Sequence, residues 1–359
     1  MTRLALLTAA LGLAAQASAT AFWVMGCSKP IVVERADPIQ SPGQVSGHVH
    51  TIMGGDAFSN NMTYATTQTG KCTTCGVTKD LSNYWVPTVY FHAPNGSFIS
   101  VEQVGGINVY YQERIDWTEL RDGKTVQPFP KDFRMLAGDP MRRSHDPNSL
   151  EQRAIEFICL LTNGETGLAP FPGFPNRTCD GGLQIRVRFP SCWDGKNLDS
   201  PDHKSHVAYP SMVDNGVCPP THPVRLLALL YEMTWNVEAF NGMRKDGAQP
   251  FVLSQGDPTG YGYHGDFLNG WDVDLLAQAI KDPSCGAETG GHIDQCQTFK
   301  PYFKPDDKQN ECASIKSTVD EQVFGVLDKL PGCNPIQAGP QNATMQSCGG
   351  KKMARRYVA

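Results

Sequence analysis

The sequence predicts a mainly β protein with a sandwich-like core of two sheets, long ordered loops and few short helices. Three observations support this fold class. Short runs of β-branched and aromatic residues recur along the chain. Clusters of Gly, Pro, Asn and Asp, which favour turns, separate these runs. Residues 183–189 alternate apolar with polar side chains, a pattern typical of a half-buried strand.

These runs define the predicted elements in chain order. Strands are expected over residues 22–25, 31–35, 46–52, 84–92, 107–112, 133–140, 154–161, 183–189, 224–235 and 251–254. In the strand over 46–52, the two-residue period places His48 and His50 on the same face. Asp272 is the expected N-cap of a helix over 272–280, where apolar residues have helical spacing. A second, amphipathic helix is expected over 317–330.

The ends and the charge of the chain predict its location. Residues 1–19 have the basic start, apolar core and small-x-small end of a secretory signal peptide. No later apolar stretch is long enough to span a bilayer. The formal net charge of -5 gives no basic footprint for nucleic acid. We therefore predict a secreted, extracellular monomer.

Asn-x-Ser/Thr triplets indicate a glycoprotein, and they begin at Asn61, Asn95, Asn176 and Asn342.

Cysteine usage predicts disulfides and a division of the chain. All 12 cysteines follow the predicted signal peptide, and an even number in an exported chain predicts six disulfides. Cys72 and Cys75 have the spacing of a redox motif, but no βαβ pattern surrounds them, so we interpret both as structural cystines. We expect a signal peptide over 1–19, a β-rich domain over 20–283 and a cysteine-rich, partly helical extension over 284–359.

The loop over residues 189–210 is the first candidate site. Pro and Gly break any helix in it, while polar side chains and a cysteine concentrate there. Its candidate catalytic residues are Asp194, Asp199 and His206, and its candidate substrate-binding residues are Trp193, Lys204 and Tyr209. A second polar loop over 255–267 adds Asp266 as a candidate catalytic carboxylate. Asp257 of that loop, and Trp271 beyond it, are further candidate substrate contacts.

Two reactions fit these residue types. Hydrolysis of a glycosidic bond needs a protonated acid on one side of the bond and a carboxylate on the other. Elimination on a uronic-acid polymer instead needs a base and an acid near a neutralised carboxylate, for which the His, Tyr and Lys of the first loop are suited. An aspartate beside Gly or Pro is also a common turn residue, so each carboxylate has a purely structural alternative.

Histidines offer a third chemistry. Three polar, glycine-rich segments hold five of the nine histidines, at 48–50, 203–206 and 264–266. His48 and His50 on one strand face, with His264 from another loop, would form a three-imidazole site for a divalent metal such as zinc or copper. Alternatively, these histidines only hydrogen-bond loop backbones. Proton competition weakens metal binding at acidic pH and favours His/Asp acid–base chemistry there.

Absent motifs narrow the function. The sequence has no nucleophile elbow, no His-Glu-x-x-His, no phosphate-binding loop and no dinucleotide fingerprint, which disfavours serine hydrolases, thermolysin-like proteases and nucleotide enzymes. We expect a secreted enzyme that cleaves a cell-wall or plant polysaccharide by His/Asp acid–base chemistry. The alternative is a non-catalytic wall-binding or metal-binding protein that uses the same His-rich surface.

Four segments together resemble the DUF1996 family, a group of secreted, mainly fungal proteins named as a domain of unknown function. They are residues 47–55 (with Gly-His-Val-His and Gly-Gly), 80–87, 189–209 and 254–271. The resemblance runs from about residue 23 to about residue 280. It implies a fungal secreted protein, and because relatives carry carbohydrate-binding or wall-associated modules, it implies a glycan partner. It assigns no catalytic residue.

Overall fold

A computed structural model describes residues 20–165, 169–245 and 249–346, so the predicted signal peptide lies outside the described residues. Within them, 17 strands form four antiparallel sheets. The strands are β1 Phe22–Cys27, β2 Val32–Glu34, β3 His50–Gly54, β4 Asn83–Pro87, β5 Val89–His92, β6 Phe98–Ser100, β7 Gln103–Gln112, β8 Arg134–Gly138, β9 Ile155–Cys159, β10 Leu183–Arg188, β11 Cys192–Trp193, β12 Val207–Ala208, β13 Val224–Arg225, β14 Ala228–Trp235, β15 Phe251–Leu253, β16 His264–Leu268 and β17 Val326–Leu327.

Helices are few and short, as predicted. The α-helices are α1 Tyr64–Thr67, α2 Trp117–Arg121, α3 Leu150–Arg153, α4 Val273–Lys281 and α5 Asp306–Gln309. Short 3₁₀-helices span Glu238–Met243, Pro283–Cys285, Ala287–Thr289, Lys300–Tyr302 and Pro331–Cys333. Every helix of the described ranges falls short of the length and apolarity that a bilayer span requires.

Two five-stranded sheets form the core, which confirms the predicted sandwich-like fold. Sheet A has the strand order β1-β7-β14-β10-β9, and sheet B has the order β2-β3-β4-β16-β8. In β10, buried Leu183, Ile185 and Val187 alternate with half-buried polar residues, as the sequence pattern predicts. Val187 packs against Gly265 of sheet B. A Cβ added to Gly265 would lie only 2.9 Å from Val187 Cγ1. The Tyr231 hydroxyl donates across the interface to the Asp266 carbonyl oxygen at 3.1 Å.

The outer face of sheet B is also covered. Its side chains pack into a second apolar cluster that includes Ile52, Phe58, Trp85 and Leu268. The segment between β2 and β3 and the C-terminal residues from Cys312 onward lie over this face. Sheet B is therefore buried on both sides, and polar side chains that project outward from it are enclosed.

Two predicted elements differ from the structure. β3 begins at His50 and not at residue 46, so His48 lies in the preceding loop, and the prediction that both histidines share one strand face is wrong. The helix predicted over 317–330 is absent from this described segment, which is irregular apart from β17. Val326 and Leu327 in this segment pair with Ile99 and Phe98 of β6 instead, which requires an extended backbone.

The C-terminal helix of the main body and the disulfides follow the prediction. α4 spans Val273–Lys281, and Asp272 caps it by accepting from Leu275 N at 3.2 Å. Cys72 and Cys75 belong to different disulfides, so they are structural cystines. The five described disulfides are Cys27–Cys75, Cys72–Cys312, Cys159–Cys179, Cys192–Cys218 and Cys285–Cys296, and Cys333 is disulfide-bonded as well.

Candidate metal centre

Three imidazoles meet on the outer face of sheet B. His264 Nε2 lies 3.1 Å from His48 Nε2 and 3.2 Å from His50 Nε2. His50 and His264 are fully buried, and His48 is 9% exposed. The loop before β3, the start of β3 and the start of β16 supply one histidine each. The predicted set of His48, His50 and His264 therefore comes together in space.

Backbone carbonyl groups fix the tautomer of two of these rings. His50 Nδ1 lies 2.9 Å from Ala36 O, and His264 Nδ1 lies 2.9 Å from Gly262 O. A carbonyl oxygen only accepts, so both Nδ1 atoms carry the proton. In a neutral imidazole the other nitrogen is then unprotonated. His50 Nε2 and His264 Nε2 thus both present lone pairs at 3.2 Å, and while both rings are neutral no proton lies between them to form a hydrogen bond.

The surroundings keep the three rings neutral. Burial, and then the proximity of the other two rings, hold the pKa of His48 well below its ordinary value. Burial and the neighbouring His264 do the same for the pKa of His50. For His264, burial lowers the pKa to about 4, although its hydrogen bond to a backbone carbonyl opposes the shift. Neutral imidazole is the form that ligates metals.

Local sequence explains why the rings converge. His264 begins β16 opposite Gly138 of β8, and His50 pairs with Pro87 at the end of β4. Gly138 has φ +90°, and a Cβ there would lie 2.5 Å from the carbonyl oxygen of the residue before β16. Gly262, whose carbonyl binds His264, is packed so closely that a Cβ would lie 2.9 Å or less from three neighbouring polar atoms. Only glycine fits either position without rearrangement.

Two buried carboxylates lie beside the histidines. One potential ligand atom each of Asp37, His50 and Asp266 lies within 4.8 Å of the other two. Burial raises the pKa of Asp37 to about 6. Burial, followed by the nearby charge of Asp37, raises the pKa of Asp266 well above its ordinary value. The region thus combines neutral nitrogen donors with oxygen donors that are costly to ionise without a cation.

Two buried arginines flank the centre, and both are already paired. Arg35 forms an ion pair with Glu321 at 2.5 Å and donates to Ser46 O at 2.8 Å. Arg143 lies 3.6 Å from Asp257 and also donates to backbone carbonyl oxygens. Their positive charges are therefore balanced locally.

C-terminal residues close the centre from outside. Asn334 Nδ2 donates to Gly47 O at 2.8 Å, next to His48. Gln337 N donates to Gly256 O at 2.9 Å, and its carbonyl oxygen accepts from Arg143 at 2.8 Å. We call residues 331–346 the C-terminal strap.

The acid–base residues predicted in the first loop make their hydrogen bonds outside the three-imidazole cluster. His206 is 1% exposed and contacts Arg134 O and Ser200 Oγ, each at 2.9 Å. Asp199 accepts from His203 Nδ1 at 2.8 Å, so its imidazole partner is His203 and not His206. Asp266 is the one predicted catalytic residue that lies at the histidine centre.

The other predicted residues of this loop make local contacts. Asp194 accepts from Lys196 N at 2.8 Å and Asn197 N at 2.9 Å, the pattern of a turn. Trp193 Nε1 donates to Asn197 O at 2.6 Å. Lys204 Nζ donates to Gly138 O at 3.0 Å and pairs with Glu151, so this loop is tied to β8 beside the centre. Tyr209 OH donates to Arg188 O at 2.8 Å.

Two further predicted substrate contacts are buried. Asp257 accepts from Thr259 N at 2.8 Å and Gly262 N at 2.7 Å, and so fixes the turn before His264. Trp271 is fully buried and donates from Nε1 to Tyr111 OH at 2.8 Å. Their substrate-binding role stays a prediction.

Asp37 is the site residue that the sequence did not single out. It accepts from Ile39 N and Gln40 N at 3.0 Å, as turn aspartates do. Its sequence context, Asp-Pro, is ordinary turn chemistry, and only its burial beside Asp266 distinguishes it. No local sequence signal reports that proximity.

Comparison with known proteins yields one family. A family model described as a domain of unknown function (DUF1996) matches residues 37–271 of the 359. The matched range begins at Asp37 and contains all three histidines and Asp266, whereas the C-terminal strap lies beyond it. No curated protein and no solved structure matches the chain. The chain belongs to the DUF1996 family.

Proposed function

We propose that this chain is a metal-binding protein that holds one zinc or copper ion through Nε2 of His48, His50 and His264. The observation that carries the proposal is the spacing of these atoms, 3.1 Å and 3.2 Å from His264. Imidazole nitrogens about 2.0–2.1 Å from a tetrahedral zinc lie about 3.3 Å from one another. Both separations from His264 Nε2 thus match those of neighbouring ligands on one ion, and one ligand atom of each histidine lies within 4.8 Å of the other two.

The tautomers support a metal over a proton relay. His50 and His264 both present an unprotonated Nε2, because their Nδ1 protons are donated to carbonyl oxygens. A relay would need a proton between these atoms and would place a charged imidazolium in a buried site. A metal ion satisfies both lone pairs, and the two carbonyl groups orient the rings, as outer partners of metal sites commonly do.

The ligand set and its burial indicate what the ion does. Three imidazoles suit zinc or copper better than magnesium or calcium, which prefer oxygen. Two of the rings are fully enclosed, so a polymer chain cannot reach the ion directly. We therefore favour the metal-binding alternative over direct metal-catalysed cleavage of a polysaccharide.

Elemental analysis of untagged protein tests this proposal. One equivalent of zinc or copper is expected per chain, and less than about a tenth of an equivalent in His48→Ala and His264→Ala. His222→Ala is the matched control, because that imidazole is half-buried and hydrogen-bonds to Thr221 and Ser205, not to the three-histidine cluster. Wild-type protein that stays below a tenth of an equivalent after incubation with zinc and with copper would overturn the proposal.

Polysaccharide cleavage is the second candidate that we propose, and the Asp199–His203 pair favours it. The pair is partly exposed, at 34% and 22%, and His203 has φ 57°, a strained conformation of the kind that concentrates at functional sites. Its imidazole is held by a carboxylate, as in general acid–base catalysis. The support is thus a partly exposed His/Asp pair in the loop that the sequence singled out.

A panel of cell-wall glycans tests the second candidate. New reducing ends would indicate hydrolysis, and ultraviolet absorbance of unsaturated uronates would indicate elimination. Asp199→Asn and His203→Ala are expected to lose turnover, whereas Asp122→Asn, a surface change, should keep it. Wild-type protein that releases neither product, or full turnover in both variants, would remove this candidate.

We also propose that the chain is exported as a glycoprotein. Five described disulfides support an oxidising compartment, and the predicted signal peptide supports export. Protein recovered from the medium of a secreting fungal host should begin near Thr20 and shrink on deglycosylation. Retention inside the cell with residues 1–19 still attached would contradict this.

A further inference from the structure

Asp37 and Asp266 lie side by side next to the three histidines. Asp266 follows His264 by two residues on β16, so both side chains project from the same outer face of sheet B. Asp37 comes from the loop that covers this face, after β2. One potential ligand atom each of Asp37, Asp266 and His50 lies within 4.8 Å of the others.

Asp266 lacks the partners that a buried carboxylate needs. It is 0% exposed, and neither of its side-chain oxygens has a hydrogen-bond partner among the described residues. An isolated buried carboxylate is strongly unfavourable unless a cation or donors compensate it. Asp37 uses one oxygen, Oδ1, for the backbone of its own turn. Both oxygens of Asp266 are therefore available to a ligand, with the Asp37 carboxylate beside them.

The neighbouring cations are engaged elsewhere. Arg143 is paired with Asp257, and Arg35 is paired with Glu321. Lys204 of the adjacent loop is bound to Glu151 and to a carbonyl oxygen of β8. His203 is the described basic side chain whose charge acts on Asp37, and it already hydrogen-bonds to Asp199. A bound ion would supply the compensating charge directly to Asp266, which otherwise avoids the cost of burial by staying protonated.

We infer that Asp37 and Asp266 form a second cation position beside the three-histidine position, with His50 at the boundary between them. This inference rests on the proposed metal-binding function and extends it from one ion to two. The second position offers mainly carboxylate oxygen, which suits a harder divalent ion such as manganese. Pairs of metal ions in proteins commonly lie about 3.5–4 Å apart, so neighbouring ligand groups can hold two ions.

Charge predicts the order in which the positions fill. Two divalent ions bring four positive charges, and the two carboxylates supply only two negative ones. The second ion should therefore bind at least about tenfold more weakly than the first, because it meets the repulsion of the ion already bound. The first ion should occupy the three histidines, whose nitrogen ligands favour zinc or copper.

The number of metal ions bound per intact chain tests the inference. Protein loaded with one equivalent of zinc is titrated with manganese, and electron paramagnetic resonance separates free from bound manganese. One further equivalent is expected to bind. Asp37→Asn is the most informative variant, because asparagine keeps the oxygen that accepts from Ile39 N and Gln40 N but loses the negative charge. It should retain one zinc and bind manganese at least about tenfold more weakly.

Controls separate this inference from the proposed function. Asp80→Asn alters another buried carboxylate, one that already accepts from Ser82 N and Tyr84 OH, and should leave both ions bound. Asp266→Asn provides a second test, with thermal unfolding as a check of folding. A single equivalent of metal in wild type, unchanged in Asp37→Asn and Asp266→Asn, would overturn the second position and leave the first intact. No bound metal in any protein would overturn both.

Discussion

His264 joins the three rings, because its Nε2 is the atom within 3.2 Å of both other histidines. His264 Nδ1 donates to the Gly262 carbonyl oxygen, and Gly262 N donates to the Asp257 carboxylate. The ring therefore has one orientation, set by a turn that precedes the strand. A site built in this way binds its ligand without reorganising, so metal binding should add directly to folding stability.

Removing His264 tests that linkage between metal and stability. Chelation of metal from wild-type protein should lower its melting temperature by roughly 5 °C, since an ion at 100 times its Kd contributes about 2.7 kcal/mol. In His264→Ala the chelator should have almost no effect on the melting temperature, because two imidazoles bind the ion far more weakly. His222→Ala should respond like wild type. Equal chelator responses in His264→Ala and wild type would contradict the ligand assignment.

His203 provides a prediction about pH. Its hydrogen bond to Asp199 raises the pKa of His203 above its ordinary value, against the opposing effect of burial. Burial alone would raise the pKa of Asp199, but hydrogen bonds from His203 and Ser200 N lower it below its ordinary value. Because the folded-state pKa of His203 is raised and that of Asp199 is lowered, this pair stabilises the fold most between about pH 4 and about pH 6.5, the two unfolded values. That contribution is lost as the pH rises through the folded-state pKa of His203, or falls through the folded-state pKa of Asp199.

An NMR titration of the His203 ring measures this shift. We expect its pKa above 6.5 in wild type and a clear decrease in Asp199→Asn, which keeps a hydrogen-bonding oxygen but loses the charge. Asp122→Asn, far along the chain, should leave the His203 titration unchanged. The same His203 pKa in Asp199→Asn and wild type would show that the carboxylate does not interact with the ring in solution.

At the scale of elements, a buried hydrogen-bond chain links the two sheets. Trp271 Nε1 donates to Tyr111 OH at 2.8 Å, and Tyr84 OH lies 2.7 Å from Tyr111 OH. Tyr84 OH in turn donates to the Asp80 carboxylate at 2.5 Å. Tyr111 belongs to sheet A and Tyr84 to sheet B, so the chain spans the interior of the sandwich.

Tyr111→Phe tests the contribution of this chain. The change removes one hydroxyl and leaves Trp271 Nε1 without its partner in a fully buried place. We expect the free energy of unfolding to fall by about 1–3 kcal/mol, the usual cost of an unsatisfied buried polar group. Chemical denaturation measures the change, and Tyr302→Phe, at a partly exposed ring, is the control. An equal loss in both variants would contradict a special role for the chain.

Particular elements show how far the sequence could predict the structure. The alternation in β10 and the cap at Asp272 are local signals, and both predictions are confirmed. The amphipathic pattern over 317–330 is also local, but Val326 and Leu327 pair with the distant strand β6, so the segment is not helical. Local pattern predicted the elements well where no distant strand competes for the backbone.

The site shows the same limit. His48, His50 and His264 could be predicted as a group from residue type and glycine-rich context, although His48 lies in a loop and not in β3. Asp37 could not be predicted, because an Asp-Pro turn has the same sequence whether its carboxylate faces water or a buried partner. Likewise, His206 and Asp199 are close in sequence, but the histidine that hydrogen-bonds to Asp199 is His203. His203 has a positive φ of 57°, which its residue type does not predict.

At the scale of the whole molecule, the C-terminal strap closes a site that the family-matched residues build. Asn334 hydrogen-bonds to Gly47 O, and Gln337 hydrogen-bonds to Gly256 O and to the Arg143 side chain. The strap lies outside the matched range, so the histidine centre belongs to the family region and its cover to the extension. We expect the strap to control how fast metal leaves.

Asn334→Ala tests this role of the strap. It removes the hydrogen bonds from Asn334 Nδ2 to Gly47 O and Pro331 O, both 2.8 Å long. Metal transfer to a chromophoric chelator should become about tenfold faster, because a loss of roughly 1.4 kcal/mol in strap binding raises the open population tenfold. Asn310→Ala, on another part of the C-terminal region, is the control. An unchanged transfer rate in Asn334→Ala would mean that the strap does not limit release.

X-ray absorption spectroscopy at the edge of the bound metal shows whether three imidazoles hold the ion. About three imidazole nitrogens are expected at about 2.0–2.1 Å from zinc. His264→Ala protein, if it can be loaded at all, should show one imidazole fewer. A spectrum from metal-loaded wild-type protein that shows only oxygen neighbours, or one that is identical in His264→Ala, would rule out ligation by the three histidines.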